Sequence, residues 1–135
     1  MKRKNSDSNQ LVSNTLKSMG ITLEHDKDGD LFFRYQMKYI YVFSSDNEQF
    51  INLLFNNFTN VDKKDLLNAL RICNKINRET KLMKMFLNSS QNCVSASCEF
   101  FYTDGKSLED NLRKSLKLLG LARTHFKKTA RSLDD

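Results

Sequence analysis

"KLMKMFLNSSQNCVSASCEFFY", residues Lys81–Tyr102, decides the fold. Past the polar loop Asn88–Asn92 the residues alternate: Val94, Ala96, Cys98 and Phe100 fall on one side, Ser95, Ser97 and Glu99 on the other. Successive Cβ atoms of a strand point to opposite faces, so this period of two predicts a strand with one face against a core. Lys81–Leu87, before the loop, supplies its hairpin partner. On the nominally outer face of this hairpin stand Leu82, Phe86 and Phe101, apolar where solvent is expected.

Upstream, "DKKDLLNALRICNKIN" (62–77) has the period of a helix, with Leu66, Ala69, Leu70, Cys73 and Ile76 as its apolar stripe. Asn77 projects from near the middle of that arc and Asn74 from its edge. A buried amide without partners costs about 1–3 kcal/mol, so both side chains are expected to find hydrogen bonds. The last carbonyls of the helix and the backbone that follows are the natural partners, which makes these asparagines a structural clamp between helix and strand rather than ligand-binding groups. Downstream, "SLEDNLRKSLKLLGLARTHFKKTARSL" (107–133) predicts one long helix capped by Ser107. Its stripe is Leu108, Leu112, Leu116, Leu119, Ala122, Phe126, Ala130 and Leu133. Leu121 falls opposite that stripe, and Gly120 beside it is a place to bend.

Toward the N-terminus, 6–19 spaces Leu11, Val12, Leu16 and Met19 as a helix, which Gly20 ends. "ITLEHD" is a short strand and "DKDGD" a turn, where Gly29 accepts positive φ. In "KYIYVF" Ile40 and Val42 point one way, Tyr39, Tyr41 and Phe43 the other. In "QFINLLFNNF" one face carries Phe50, Leu54 and Phe58, the other Ile51, Leu53 and Phe55. The sequence thus predicts an α+β domain over 8–133, following a disordered basic stretch 1–7. Its antiparallel sheet is flanked by three helices in the order α-β-β-β(-β)-α-β-β-α.

The chain has 135 residues, a single-domain length, with ten Phe, no Pro and four Gly. No apolar run approaches the roughly 18 residues of a membrane span, and "MKRKNSDSNQ" lacks the apolar core of a secretory signal. A cytoplasmic protein with no membrane contact is expected. Three cysteines without a C-x-x-C suggest reduced, mostly buried thiols and no zinc site. Net charge is +6, with eight Lys/Arg against four Asp/Glu in 106–135.

No catalytic constellation is present: His25 and His125 lie far apart in the chain, and neither a nucleophile elbow nor a phosphate loop occurs. "DKDGDLFFRYQM" places Asp26, Asp28 and Asp30 close together, but its glycine stands fourth and its twelfth residue is Met37, which does not fit a calcium loop. No enzyme, metal or cofactor is expected.

The run Leu70–Phe86, "LRICNKINRETKLMKMF", resembles the signature segment of the YbjN family of bacterial sensory-transduction regulators. The shared features are a helix ending in Leu-x-x-x-Asn-x-x-Asn, then a strand bearing lysine and an aromatic; the "GDLFFRYQ" strand adds to them. The order of elements is similar to that of type III secretion chaperones. The resemblance implies a small domain, often dimeric, that binds protein segments or regulates by contact.

These readings converge on a non-catalytic interaction module whose sheet carries more apolar side chains than its helices cover. The expected partner is an apolar protein segment or a second subunit in a homodimer, with contacts through Leu82, Phe86, Phe101 and Leu121. The alternative is a nucleic-acid-binding protein using its basic helices, with Arg113, Lys117, Lys128 and Arg131 sharing one helical sector toward phosphates.

Overall fold

A computed structural model, which describes residues 2–44 and 48–134, folds the chain as α1 (Lys2–Ser18), β1 (Glu24–His25), β2 (Leu31–Tyr35), β3 (Lys38–Ser44) and β4 (Phe50–Asn60). A 3₁₀ turn (Lys63–Asp65), α2 (Leu66–Glu79), β5 (Met83–Leu87), β6 (Cys93–Phe101), α3 (Gly105–Gly120) and α4 (Ala122–Asp134) follow. The strands form one antiparallel sheet in the order β1-β2-β3-β4-β6-β5. After β4 the chain crosses through α2 to the far edge and returns as a hairpin whose second strand, β6, inserts beside β4. Asp46–Asn47, which the sequence marks as a turn between two strands, falls outside the described residues.

Register sorts the side chains into two faces. Leu31, Val42, Leu53, Cys98 and Met83 stand in one cross-strand row, and Phe32, Tyr41, Leu54, Ser97 and Lys84 in the next. Rows of the first kind hold the core. Phe33, Ile40, Val42, Ile51, Leu53, Met83, Met85, Val94, Ala96, Cys98 and Phe100 are buried with Val12 and Leu16 of α1, Ile72, Cys73 and Ile76 of α2, and Leu108, Leu112, Leu116 and Leu119 of α3. All four helices therefore lie on this face, with α1 against β3, α2 against β5, and α3 against β5 and β6. The Ile40/Val42 against Tyr39/Tyr41/Phe43 division is as the alternation predicts.

Several details differ from the sequence reading, each for a local reason. Phe58 does not share a face with Phe50 and Leu54. A register shift between Phe55 and Thr59, with Asn57 at φ 48°, sets two extra residues of β4 against β6, and Phe58 turns into the core, where it stacks on Phe55. The stripe of α2 is rotated: Ile72 is buried and Leu70 exposed. α1 begins at Lys2, earlier than the predicted start at residue 6.

Asp104, not Ser107, caps α3. Its carboxylate accepts the Ser107 N–H at 2.8 Å while the Ser107 hydroxyl accepts the Asp104 N–H, a reciprocal box that holds the Asp104 carboxyl below the usual carboxylate range. The long C-terminal helix is broken at Leu121 into α3 and α4. Gly120 packs there against the β2–β3 turn, and a Cβ would lie 3.0 Å from Gln36 Oε1 and 3.3 Å from Tyr35. A larger residue there would require the exposed Gln36 amide and the Tyr35 ring to give way.

Asn77 joins α2 to the edge strand. Its Nδ2 donates to the Met85 carbonyl at 2.9 Å and its Oδ1 accepts the Met85 N–H at 2.8 Å, the bonds a neighbouring strand would make. Asn74 is exposed and takes no part in this joint. One position earlier on the edge, the Met83 N–H donates to Lys81 O across Leu82, which sits at φ 72° in a three-residue turn. Two outward N–H groups of β5 are thereby closed to further strand pairing. Asn77→Ala is expected to cost about 1–3 kcal/mol in urea unfolding, because both Met85 groups lose their partner, whereas Asn74→Ala stays within about 0.5 kcal/mol.

Candidate functional site

The face of the sheet opposite the helices is uncovered. Tyr39 is 57% exposed, Phe43 40% and Phe101 65%, while Phe32, Tyr41, Phe50, Leu54 and Phe86 are half-buried. The rings support one another: Phe32 meets Tyr39 edge-on at 5.6 Å and Tyr41 at 5.7 Å, Tyr41 stacks on Phe43, and Phe50 lies 5.0 Å from Phe101. Such contacts hold the rings upright and lower the entropy lost when a partner lands on them. Spacings of about 4.8 Å between strands make the face about 24 Å across, which roughly seven extended residues span.

Its middle is low. Ser95 and Ser97 are 0% and 2% exposed although no helix covers them. They are sunk between larger cross-strand neighbours, Leu54 and Lys84 beside Ser97, Asn56 and Phe86 beside Ser95. Ser95 also fixes the bulge, its hydroxyl accepting the Asn57 N–H at 2.8 Å. Alternation gave these serines a solvated position; a small side chain in a trough of large ones was the signal that they are buried.

Charge is uneven on this face. The β1–β2 turn carries Asp26, Asp28 and Asp30, with Asp26 Oδ1 accepting the N–H groups of Asp28 and Asp30 at 2.9 Å each. By register this turn lies at the sheet end where Phe43, Phe50 and Phe101 stand. The Tyr41 hydroxyl is pushed above its ordinary pKa by burial among its neighbours and then by the Asp26 carboxylate. Lys84 is paired with Glu99 and Arg34 with Glu24, and Lys27 stands within the acidic turn itself. Asn52, between Phe43 and Glu99 in its row, has a buried Oδ1 with no donor among the described residues.

Of the residues singled out from sequence, Phe86 and Phe101 stand on the open face at opposite ends of β6, about 20 Å apart at 3.3 Å per residue. Leu82 does not: it precedes β5 and packs against the core, because its turn reverses the alternation. Leu121 is 59% exposed at the α3–α4 break, in the helix layer and not on the sheet. The sequence reading placed Tyr39, Tyr41 and Phe43 outward but missed the part of Phe32, Phe50, Asn52 and Leu54; their positions follow once β2, β3 and β4 are in register.

Of the helical sector expected to hold Arg113, Lys117, Lys128 and Arg131, the first two lie on α3 and the others on α4, past the break. Cys73 and Cys98 are buried thiols pushed up to about 11 and about 12 by desolvation, and Cys93 is half-buried. No helix among the described residues is long and apolar enough to cross a membrane, and no cluster of metal-ligating groups occurs among them.

A family model described as "TY-Chap1: T3SS (YopN, CesT) and YbjN peptide-binding chaperone 1" matches residues 6–127. No curated protein matches the chain. Among solved structures, the crystal structure of YbjN from E. coli is similar, with a TM-score of 0.63 over 88% of this chain and 89% of that chain at 12% identity. The architecture is thus of the YbjN and secretion-chaperone type that the order of elements predicts.

Proposed function

The chain belongs to the TY-Chap1 family, and from that premise we propose that its open sheet face binds an extended apolar segment of another protein. The observation that carries this reading is the row of exposed rings on the face that no helix covers, where one flat layer offers Tyr39, Phe43 and Phe101 to solvent. A patch of that kind is costly in water and characteristic of an interface. The occupant carries Lys or Arg near the end that meets Asp26, Asp28 and Asp30, and a peptide N–H supplies the donor that Asn52 Oδ1 lacks. Binding across the face is favoured over pairing along β5, since Asn77 and the Leu82 turn occupy that edge. The activity is non-catalytic, and the protein acts as a chaperone-like or regulatory module through this contact.

Fluorescence anisotropy tests the reading with a labelled peptide that alternates Val, Leu and Phe with Ser and ends in two Lys. Saturable binding of one peptide per chain is expected, weakened about tenfold when the lysines become glutamates. No binding, or equal binding of both peptides, contradicts the proposed occupant. Light scattering that finds a dimer whose Phe101→Asp variant is monomeric assigns the face to a second copy of the chain instead.

A further inference from the structure

The helix layer carries a second surface of opposite character, which does not depend on the open sheet face. From Asn111 to Leu133 the chain has seven Lys/Arg (Arg113, Lys114, Lys117, Arg123, Lys127, Lys128 and Arg131) and no Asp or Glu. Only Arg113 has an ion-pair partner among the described residues, Glu109 at 3.1 Å. Charge so concentrated would repel itself if it served nothing else.

Two apolar hollows open among these cations. One, of ≈ 360 Å³, has Met19, Ile21, Tyr35 and Leu116 as its walls and Arg113, Lys114 and Lys117 at its rim. The other, of ≈ 320 Å³, is floored by Leu118 and Leu121 and rimmed by Lys117, Lys128, Thr124 and His125. Lys117 stands between them. The lining of the second hollow runs along one helical face across the break at Leu121, so Lys117 of α3 and Lys128 of α4 share its rim.

We infer that this surface binds an acidic protein segment that inserts one apolar side chain into each hollow. Charge complementarity selects the acidic partner, because the rim offers cations and its nearest carboxylates are engaged, Glu109 by Arg113 and Glu79 by Lys75. The hollows select protein over nucleic acid. A phosphate backbone is recognised by cations and by rings on which bases stack, and it has nothing to place in a pocket walled by Leu118 and Leu121. The 59% exposure of Leu121 then has a use, since burying it on the partner contributes apolar area that the folded chain alone leaves in water. With the sheet face taking an apolar segment that is basic at one end, the two surfaces hold unlike partners and can be filled together.

The test uses the full chain and a labelled peptide of alternating Glu/Asp pairs with leucines at i, i+4 and i+7. Saturable binding is expected, with affinity falling as salt rises. It should weaken about tenfold in Leu121→Ser and in Lys117→Glu, and by a similar factor when the peptide leucines become serines, while Phe101→Asp leaves it unchanged. Leu121 and Lys117 are exposed, so both variants keep the fold, which circular dichroism checks; if one does not, the other decides. Equal binding of the serine peptide shows charge attraction without insertion and overturns the inference. So does tighter binding of single-stranded polyuridylate, which makes the surface one for nucleic acid. Binding lost in Phe101→Asp places the peptide on the sheet face and overturns it as well.

Discussion

Phe43→Asp and Phe101→Asp are expected to weaken binding of the apolar, lysine-ended peptide by roughly 30-fold each, the loss of about 2 kcal/mol that truncating an interface anchor brings. Both rings stand at the acidic end of the open face, where the peptide cations and its first apolar side chains meet the protein. Phe101 leans on Phe50, and Phe43 stacks on Tyr41, so each is a ring already fixed in place. A carboxylate at either position removes that contact and leaves a charge that must be desolvated when the peptide lands. The fold tolerates it, since neither ring is part of the core; urea midpoints are expected to stay within about 0.5 kcal/mol of the parent. Binding that survives both substitutions would mean that the rings are spectators.

Phe33→Ala and Phe32→Ala, neighbours in β2, are expected to have unlike effects on stability. Phe33 is wholly buried on the helix side, among the largest enclosed side chains of the molecule. Removing its ring leaves a cavity that the packed helices cannot close, at a cost of about 3–5 kcal/mol, a large part of the 5–15 kcal/mol typical of a domain. Phe32 points to the open side, half-buried, with the rings of Tyr39 and Tyr41 beside it, so its loss costs about 1 kcal/mol. Equal losses in denaturant unfolding would mean that something shelters the second face after all.

Much of this arrangement was legible in the sequence, and several of the parts that were not share a cause. Alternation in Cys93–Phe101 and in Lys38–Phe43 gave both faces of two central strands, because a period of two survives wherever the backbone stays regular. The Asn77 joint was legible as an amide on an apolar arc that had to find partners, and of the two expected, the end of its helix and the backbone that follows, it takes the second, at Met85. Three of the misses, though not the rotated stripe of α2, fall at backbone irregularities. The bulge beside Asn57 moved Phe58 to the core face, the positive φ at Leu82 turned that side chain inward, and the break at Leu121 divided one predicted helix into two. Each changes the phase of a pattern without changing its composition. The asparagine pair Asn56–Asn57 was the only local hint of the bulge, asparagine being among the residues that accept left-handed backbone. The burial of Ser95 and Ser97 depends on neighbours from other strands, which no single stretch reveals.

Chemical-shift mapping with isotope-labelled protein and the unlabelled apolar peptide bears most directly on the use of the open face. Shifts are predicted at Phe32, Tyr39, Tyr41, Phe43, Asn52, Ser97 and Phe101, with the buried side chains of the helix layer, Leu112 and Leu119 among them, unmoved. A map centred on α3 and α4, or no shifts at a saturating peptide concentration, would contradict it.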